Sequence, residues 1–191
     1  MKALHLMKAL RALHNCIVAT LLVLSLGTPV WADEARLDDL FQQLQTATTE
    51  EARSITDNIW MEWSKSGSPA MDLLLKRGRD AMNAGFPQIA IGHFTALIDH
   101  APDFAEGYNA RATAYFQTGD LGPSVGDIAR TLTLNPRHFG ALAGLGMIFE
   151  QLDDPEKALE VYKAALAINP HMSDVKDAVS RLEISVGGQD L

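Results

Sequence analysis

The chain has 191 residues, with 16 basic against 24 acidic and a net charge of −8. Binding to nucleic acid or to an anionic lipid surface depends on Lys and Arg neutralising phosphates, so this balance argues against both. A single cysteine excludes a disulfide framework, and the length allows one continuous core.

Residues 1–32 read as an address. Lys2, Lys8 and Arg11 charge the start, residues 16–27 are apolar, and Val30-Trp31-Ala32 places small residues at the −3 and −1 sites. This three-part pattern predicts a signal peptide over 1–32, cleaved between Ala32 and Asp33, and hence a periplasmic protein with no membrane insertion after cleavage. The apolar run is short for a membrane span; the other reading is an uncleaved, signal-anchored inner-membrane protein. Cys16 departs with the leader, so thiolate chemistry and cysteine-ligated metals depart too. Loss of Lys2, Lys8 and Arg11 leaves 13 basic and 24 acidic residues, a net charge of −11.

Residues 33–70 hold two apolar stripes at helical spacing. Leu37, Leu40, Phe41 and Leu44 make the first; Ile55, Ile59, Trp60 and Trp63 make the second, after a helix start at Thr49-Glu50-Glu51. Two readings fit this divergent helix pair: a cap on a repeat array, or a hairpin that binds a partner. Terminal units of repeat arrays are expected to be atypical, which favours the cap.

Beyond it the chain is periodic. Pro102, Pro136 and Pro170 stand 34 residues apart, in His-Ala-Pro, Leu-Asn-Pro and Ile-Asn-Pro. With each proline at position 32, the units are 71–104, 105–138 and 139–172. Position 8 is Gly78, Ala112 and Gly146, and position 20 is Ala90, Ser124 and Ala158. Position 24 is Phe94, Ile128 and Tyr162; bulky residues also hold position 4, as Leu74, Tyr108 and Leu142, and mostly position 11, as Ala81, Tyr115 and Phe149. Two antiparallel helices approach closely only where one side chain is nearly absent, and the large side chains then fill the space beside that crossing. Pro87, Pro123 and Pro155 suit the first turn of the second helix, where the missing N–H would be unpaired anyway. Gly85, Gly119 and Asp153-Asp154 mark the turn, with Asp154 as an N-cap, and the closing proline ends the second helix.

This pattern resembles the tetratricopeptide repeat. The departures are Arg77 and Arg111 at the usually apolar position 7, and Leu97 and Thr131 where position 27 is usually alanine. The resemblance implies an all-α fold: a right-handed α-solenoid of antiparallel helix pairs with three 34-residue units, 71–104, 105–138 and 139–172. The divergent pair over 33–70 precedes it. A capping helix closes the array over 173–186, with Val175, Val179 and Leu182 on its apolar side, and residues 187–191 form a tail.

Chemistry is hard to find in the mature chain. His93, His100, His138 and His171 form no i, i+4 pair or triad suited to a metal, and read as solvated or capping groups. Gly140, Gly144 and Gly146 lack the Lys and Ser/Thr of a phosphate loop, and no nucleophile elbow is present. The expectation is a non-enzymatic protein without a cofactor.

The resemblance implies an inner groove lined by the first helix of each unit. Arg79, Asn83, Asn109, Thr113, Phe116, Met147 and Gln151 then form a candidate peptide-binding lining of amides, one cation and apolar patches. Lys76, Arg79 and Asn109 supply only part of a clamp for a peptide's terminal carboxylate, and Glu150 would repel one. The expected partner is a protein or peptide of the cell envelope, held by a scaffold. The other reading is an assembly subunit acting through its outer faces, Trp60 and Trp63 among them, or through the N-terminal hairpin.

Overall fold

The structure, a computed structural model, describes residues 29–187. Nine helices run through them: α1 Pro29–Thr46, α2 Thr49–Trp63, α3 Pro69–Asn83, α4 Pro87–His100, α5 Ala105–Thr118, α6 Leu121–Leu134, α7 Phe139–Gln151, α8 Pro155–Ile168 and α9 Ser173–Gly187. Among the described residues there is no strand, and no helix is long and apolar enough to cross a membrane. The leader read over 1–32 lies outside the described residues as far as residue 28; its last four residues begin α1. The chain divides into compact units after Asp39, and the packing described below lies within the unit that begins at Leu40.

Helices α3 to α8 form three antiparallel pairs that stack in order, with α9 against α8. The first helices of successive pairs are also neighbours, α3 beside α5 and α5 beside α7, and so build one inner face. The crossing inside each pair follows from residue size. The Phe94 ring lies against the bare backbone of Gly78, and the Tyr162 ring against that of Gly146, where a Cβ would overlap the ring. Unit two solves the same contact differently: Ala112 faces Ile128, and the buried Ser124 hydroxyl donates to the Ala112 carbonyl at 2.8 Å.

The turns repeat as well. Gly85 and Gly119 both adopt φ of 80°, and Asp153, one period on, adopts 58°. It is the only non-glycine residue with positive φ among the described residues, a conformation that costs about 1–2 kcal/mol with a Cβ present. Asp154 comes next as an N-cap, accepting the Lys157 N–H at 3.2 Å. Each second helix ends two residues before its proline, at His100, Leu134 and Ile168.

The departure at position 7 of unit two has a clear physical basis. Arg111 donates Nε and Nη2 to the two oxygens of Asp127 at 2.7 and 2.8 Å, and Nη1 to the Thr95 hydroxyl at 3.1 Å. Its guanidinium also lies between the Tyr108 and Tyr115 rings, 5.9 and 5.8 Å from their centroids. The apolar stem packs while Nε and both Nη atoms each make a hydrogen bond, so an arginine serves where the family uses an apolar residue.

The N-terminal hairpin differs from a stacked cap. The contacts that hold it run to the inner face and to the third unit rather than extending the array beyond α3. Gln45 Nε2 donates to the Ile168 carbonyl at 2.8 Å, and His171 Nε2 donates to the Leu44 carbonyl at 3.0 Å. Phe41 meets Phe139 edge-on at 6.5 Å between ring centres, and the Arg137 guanidinium sits 4.4 Å from the centre of the Phe41 ring. The Thr48–Glu51 capping box starts α2, with the Thr48 N–H donating to Glu51 Oε2 at 2.8 Å. The carboxyl of Glu51 is held below its ordinary range by that backbone bond and by the Thr48 hydroxyl.

The glycine positions give opposite expectations for one chemical change. Gly146→Ala overlaps the Tyr162 ring and should destabilise by about 1–3 kcal/mol. Gly126→Ala, in open space on α6, should stabilise by about 0.5–1 kcal/mol through helix propensity. Urea unfolding of both variants checks the pair; equal effects would contradict the repeat frame.

Candidate peptide-binding groove

The inner face presents one residue from each turn of α3, α5 and α7, because side chains three or four apart share a helix face. Three cavities run along it. One of about 320 Å³ lies between α3 and α5, lined by Arg79, Met82, Asn83, Glu106, Asn109 and Thr113, with Trp60 beside them. A second, about 340 Å³, lies between α5 and α7 and shares Asn109, Thr113 and Gln117 with the first. The third, about 540 Å³, lies between α2 and the α7–α9 region, and shares Ala143 and Met147 with the second.

Trp60 borders the first and third cavities, so α2 lies in the groove. Gly140 admits it: a Cβ at that position would stand 2.6 Å from Trp60 Cη2. Trp63 stacks face to face on His138, with ring centres 4.3 Å apart and planes 15° apart. Trp60 meets both Trp63 and His138 edge-on, at 5.2 and 5.3 Å. Trp63 is only 8% exposed, and neither indole is on an outer face, which corrects that part of the assembly-subunit reading.

Under this aromatic cluster lies a buried carboxylate. Glu106 is 3% exposed, and burial of a carboxylate costs several kcal/mol unless it is bonded. Here both oxygens are engaged: Arg79 Nη2 donates to Oε1 at 2.6 Å, and Asn109 Nδ2 donates to Oε2 at 3.1 Å. His138 Nε2 lies 3.0 Å from Oε2, while its Nδ1 accepts the Ala141 N–H at 3.1 Å. That second bond leaves Nδ1 without a proton and places the ring's hydrogen on Nε2, facing the carboxylate. The histidine thus caps α7, joins units two and three, and carries the hairpin.

The structure places the seven expected lining residues unevenly. Asn109, Thr113, Phe116 and Met147 converge on the α5–α7 cleft. Arg79 and Asn83 line the α3–α5 cavity, but the Arg79 guanidinium is held by Glu106 and, at 3.0 Å, by the Ser64 hydroxyl. Gln151 is exposed at the end of α7 and lines none of the three cavities. Glu150, expected to repel a ligand, is tied down: Tyr162 donates its hydroxyl at 2.8 Å and Arg181 its Nη1 at 2.6 Å. The Arg181 bond holds the Glu150 carboxyl below its ordinary range, while burial and the bond to Glu150 push the Tyr162 phenol up. Trp60 and the Glu106–His138 pair are the groove features that sequence reasoning missed. Only an explanation for a tryptophan pair outside the repeat frame could have pointed to them.

No group of three or more acidic, histidine or cysteine side chains suited to a metal ion occurs among the described residues. The groove thus offers amides, hydroxyls, a thioether and apolar surface. Those groups suit recognition of a polypeptide.

The fold and this inner face define a helical-repeat protein of paired antiparallel helices. Models of the tetratricopeptide repeat match residues 75–122 and 139–172. A TPR repeat-containing protein of Rhizobium etli is 33% identical over 154 residues, spanning 80% of this chain and 76% of that one. The chain therefore belongs to the tetratricopeptide repeat family, whose members are interaction modules. Hsp70-Hsp90 organizing protein 1 of Glycine max is 26% identical over 92 residues; the match spans 48% of this chain but only 16% of that protein. Among solved structures, the first TPR of Spaghetti (RPAP3) bound to the HSP90 peptide SRMEEVD superposes with a TM-score of 0.59 at 20% identity, over 61% of this chain and 93% of that one. The crystal structure of MamA does so with 0.59 at 21% identity, over 74% and 84%. At these identities the two structures share the fold.

The Glu150 junction sets an expectation on pH. Its folded-state acidity lies below the ordinary value of 4.5, so its stabilising share is present above that pH and is lost as pH falls through the folded value. Glu150→Gln should therefore be less stable than wild type near neutrality and show a shallower loss of stability below about pH 4.5. Urea titrations across that range check it; parallel curves would contradict a stabilising role for this carboxylate.

Proposed function

We propose that this protein is a non-catalytic interaction module of the bacterial cell envelope that holds a segment of a partner protein in its inner groove. One observation carries the reading. The α5–α7 cleft is open, close to the 300–1,000 Å³ typical of binding pockets, and lined by Asn109, Thr113 and Gln117 beside Phe116 and Met147. Amides and a hydroxyl can bond a peptide backbone, while the half-exposed Met147 accepts side chains of varied shape. The likeness to TPR domains, one of them solved bound to an HSP90 peptide, supports a peptide as the ligand class. Micromolar affinity, about −8 kcal/mol, is the expected scale for one short segment.

Export is the second part of the proposal. It rests on Lys2, Lys8 and Arg11, the apolar run over 16–27 and the Val30-Trp31-Ala32 site. Mass spectrometry of the protein from its native envelope should find Asp33 at the N-terminus. A membrane-bound form that retains Met1 would instead support the signal-anchored reading.

Photo-crosslinking tests the groove. A benzoylphenylalanine at Met147 should give a discrete adduct with a partner protein in intact cells, and one at the more exposed Ile184 on α9 should not. Adducts from Ile184 alone would place recognition on the outer surface.

A further inference from the structure

We infer that the N-terminal hairpin is a permanent occupant of the groove and that Trp60, packed on the cleft residue Gly140, is a fixed neighbour of the partner site, which takes a short, uncharged segment bearing one bulky apolar side chain. The inference rests on the reading of the inner face as the partner site and narrows it.

Helix α2 lies in the groove as a bound helix would. Thr49, Ala52, Arg53, Thr56 and Trp60, at the spacing of one helix face, line the cavity opposite Ala143 and Met147. Its far end reaches unit one, where Ser64 accepts from Arg79 at 3.0 Å. The inner face thus already meets a helix of its own chain at Gly140, His138 and Arg79.

Competition by a partner would have to undo a well-packed core. Leaving the groove, the hairpin would uncover Phe41 and Trp63, each at most 8% exposed and packed on Phe139, together with the fully buried His138. It would also break the bonds from Gln45 to the Ile168 carbonyl and from His171 to the Leu44 carbonyl. A single short peptide offers far less apolar surface in exchange. The hairpin stays, and the partner receives the surface it leaves open.

That open surface is the α5–α7 cleft, continuous with the hairpin interface through Gly140, Ala143 and Met147. At about 340 Å³ the cleft has room for one large side chain and its flanking backbone. No ionisable side chain lines it. Of the groove cations, Arg79 is bound to Glu106, Lys76 is paired with Asp80 at 2.6 Å, and Arg53 lines the third cavity rather than this cleft. A peptide ending in a free carboxylate finds no counter-charge there, and the acidic chain disfavours it further. Phe116, Ile128 and Ile148 instead offer an apolar seat, and Asn109 and Gln117 bond the backbone around it.

Selection from a displayed library of short random peptides on the full-length protein tests this. Enriched peptides should share one Phe, Trp, Leu or Met and no required acidic residue. Their synthetic forms should bind equally with free or amidated C-termini. Replacing the shared apolar residue by Ala, or Met147 by Glu, should weaken binding about tenfold or more. Trp60→Ala should also weaken it, and Trp60→Phe, which keeps a ring, should largely retain it. A requirement for a free C-terminal carboxylate would overturn the inference while leaving the groove in use. Tighter binding by Trp60→Ala would overturn it differently, by showing α2 to be a displaceable competitor. Peptides indifferent to Met147→Glu would bind elsewhere and sink the groove reading itself; no enrichment would overturn both.

Discussion

The stack of the Trp63 indole on the His138 imidazole, closed from behind by the Glu106 carboxylate, is the contact on which the inner face depends. An aromatic stack of this kind contributes about 0.5–1.5 kcal/mol beyond its area, and the buried carboxylate raises the stakes. A Glu106 stripped of Arg79, Asn109 or His138 would be a poorly compensated charge in the interior. Each partner comes from a different place: Arg79 from unit one, Asn109 from unit two, His138 from the junction with unit three. The network therefore fixes the relative setting of three repeats as well as the hairpin. A solenoid otherwise relies on nearest-neighbour contacts alone; here a polar knot spans them.

The array itself runs on simpler physics. In units one and three a ring at position 24 rests on a glycine at position 8, and the chain reverses at a residue with positive φ one period apart, at Gly85, Gly119 and Asp153. Unit two replaces the ring by Ile128 and recovers the lost contact with the Ser124 hydroxyl bond. Arg111, which looks out of place, is bonded on both sides of its fork. These are local substitutions within one geometry. They explain how the second unit keeps the fold with different side chains.

Sequence reasoning read the array well because its signals are local and periodic. The prolines, the small residues at position 8 and the Asp154 cap each act within about one turn or one helix crossing. The convergence of Asn109, Thr113, Phe116 and Met147 was legible for the same reason: equal slots in stacked units fall side by side. The hairpin was not legible. Its two apolar stripes announce two helices, but the surface they cover is set by contacts more than 70 residues away, such as Trp63 on His138 and Leu44 against His171. No period predicts such a pairing. The paired state of Arg79 was hidden likewise, since Glu106 reads as one more groove-facing carboxylate until His138 is placed against it.

If the Trp63–His138–Glu106 contact ties the molecule together, the hairpin and the repeats form one cooperative unit. Native-state hydrogen exchange of the α2 amides tests this most directly. Ile59 to Trp63 should exchange as slowly as the amides of α5 and α7, through global unfolding. Rapid exchange of α2 beside a protected array would contradict it, and would make the hairpin a loosely held segment.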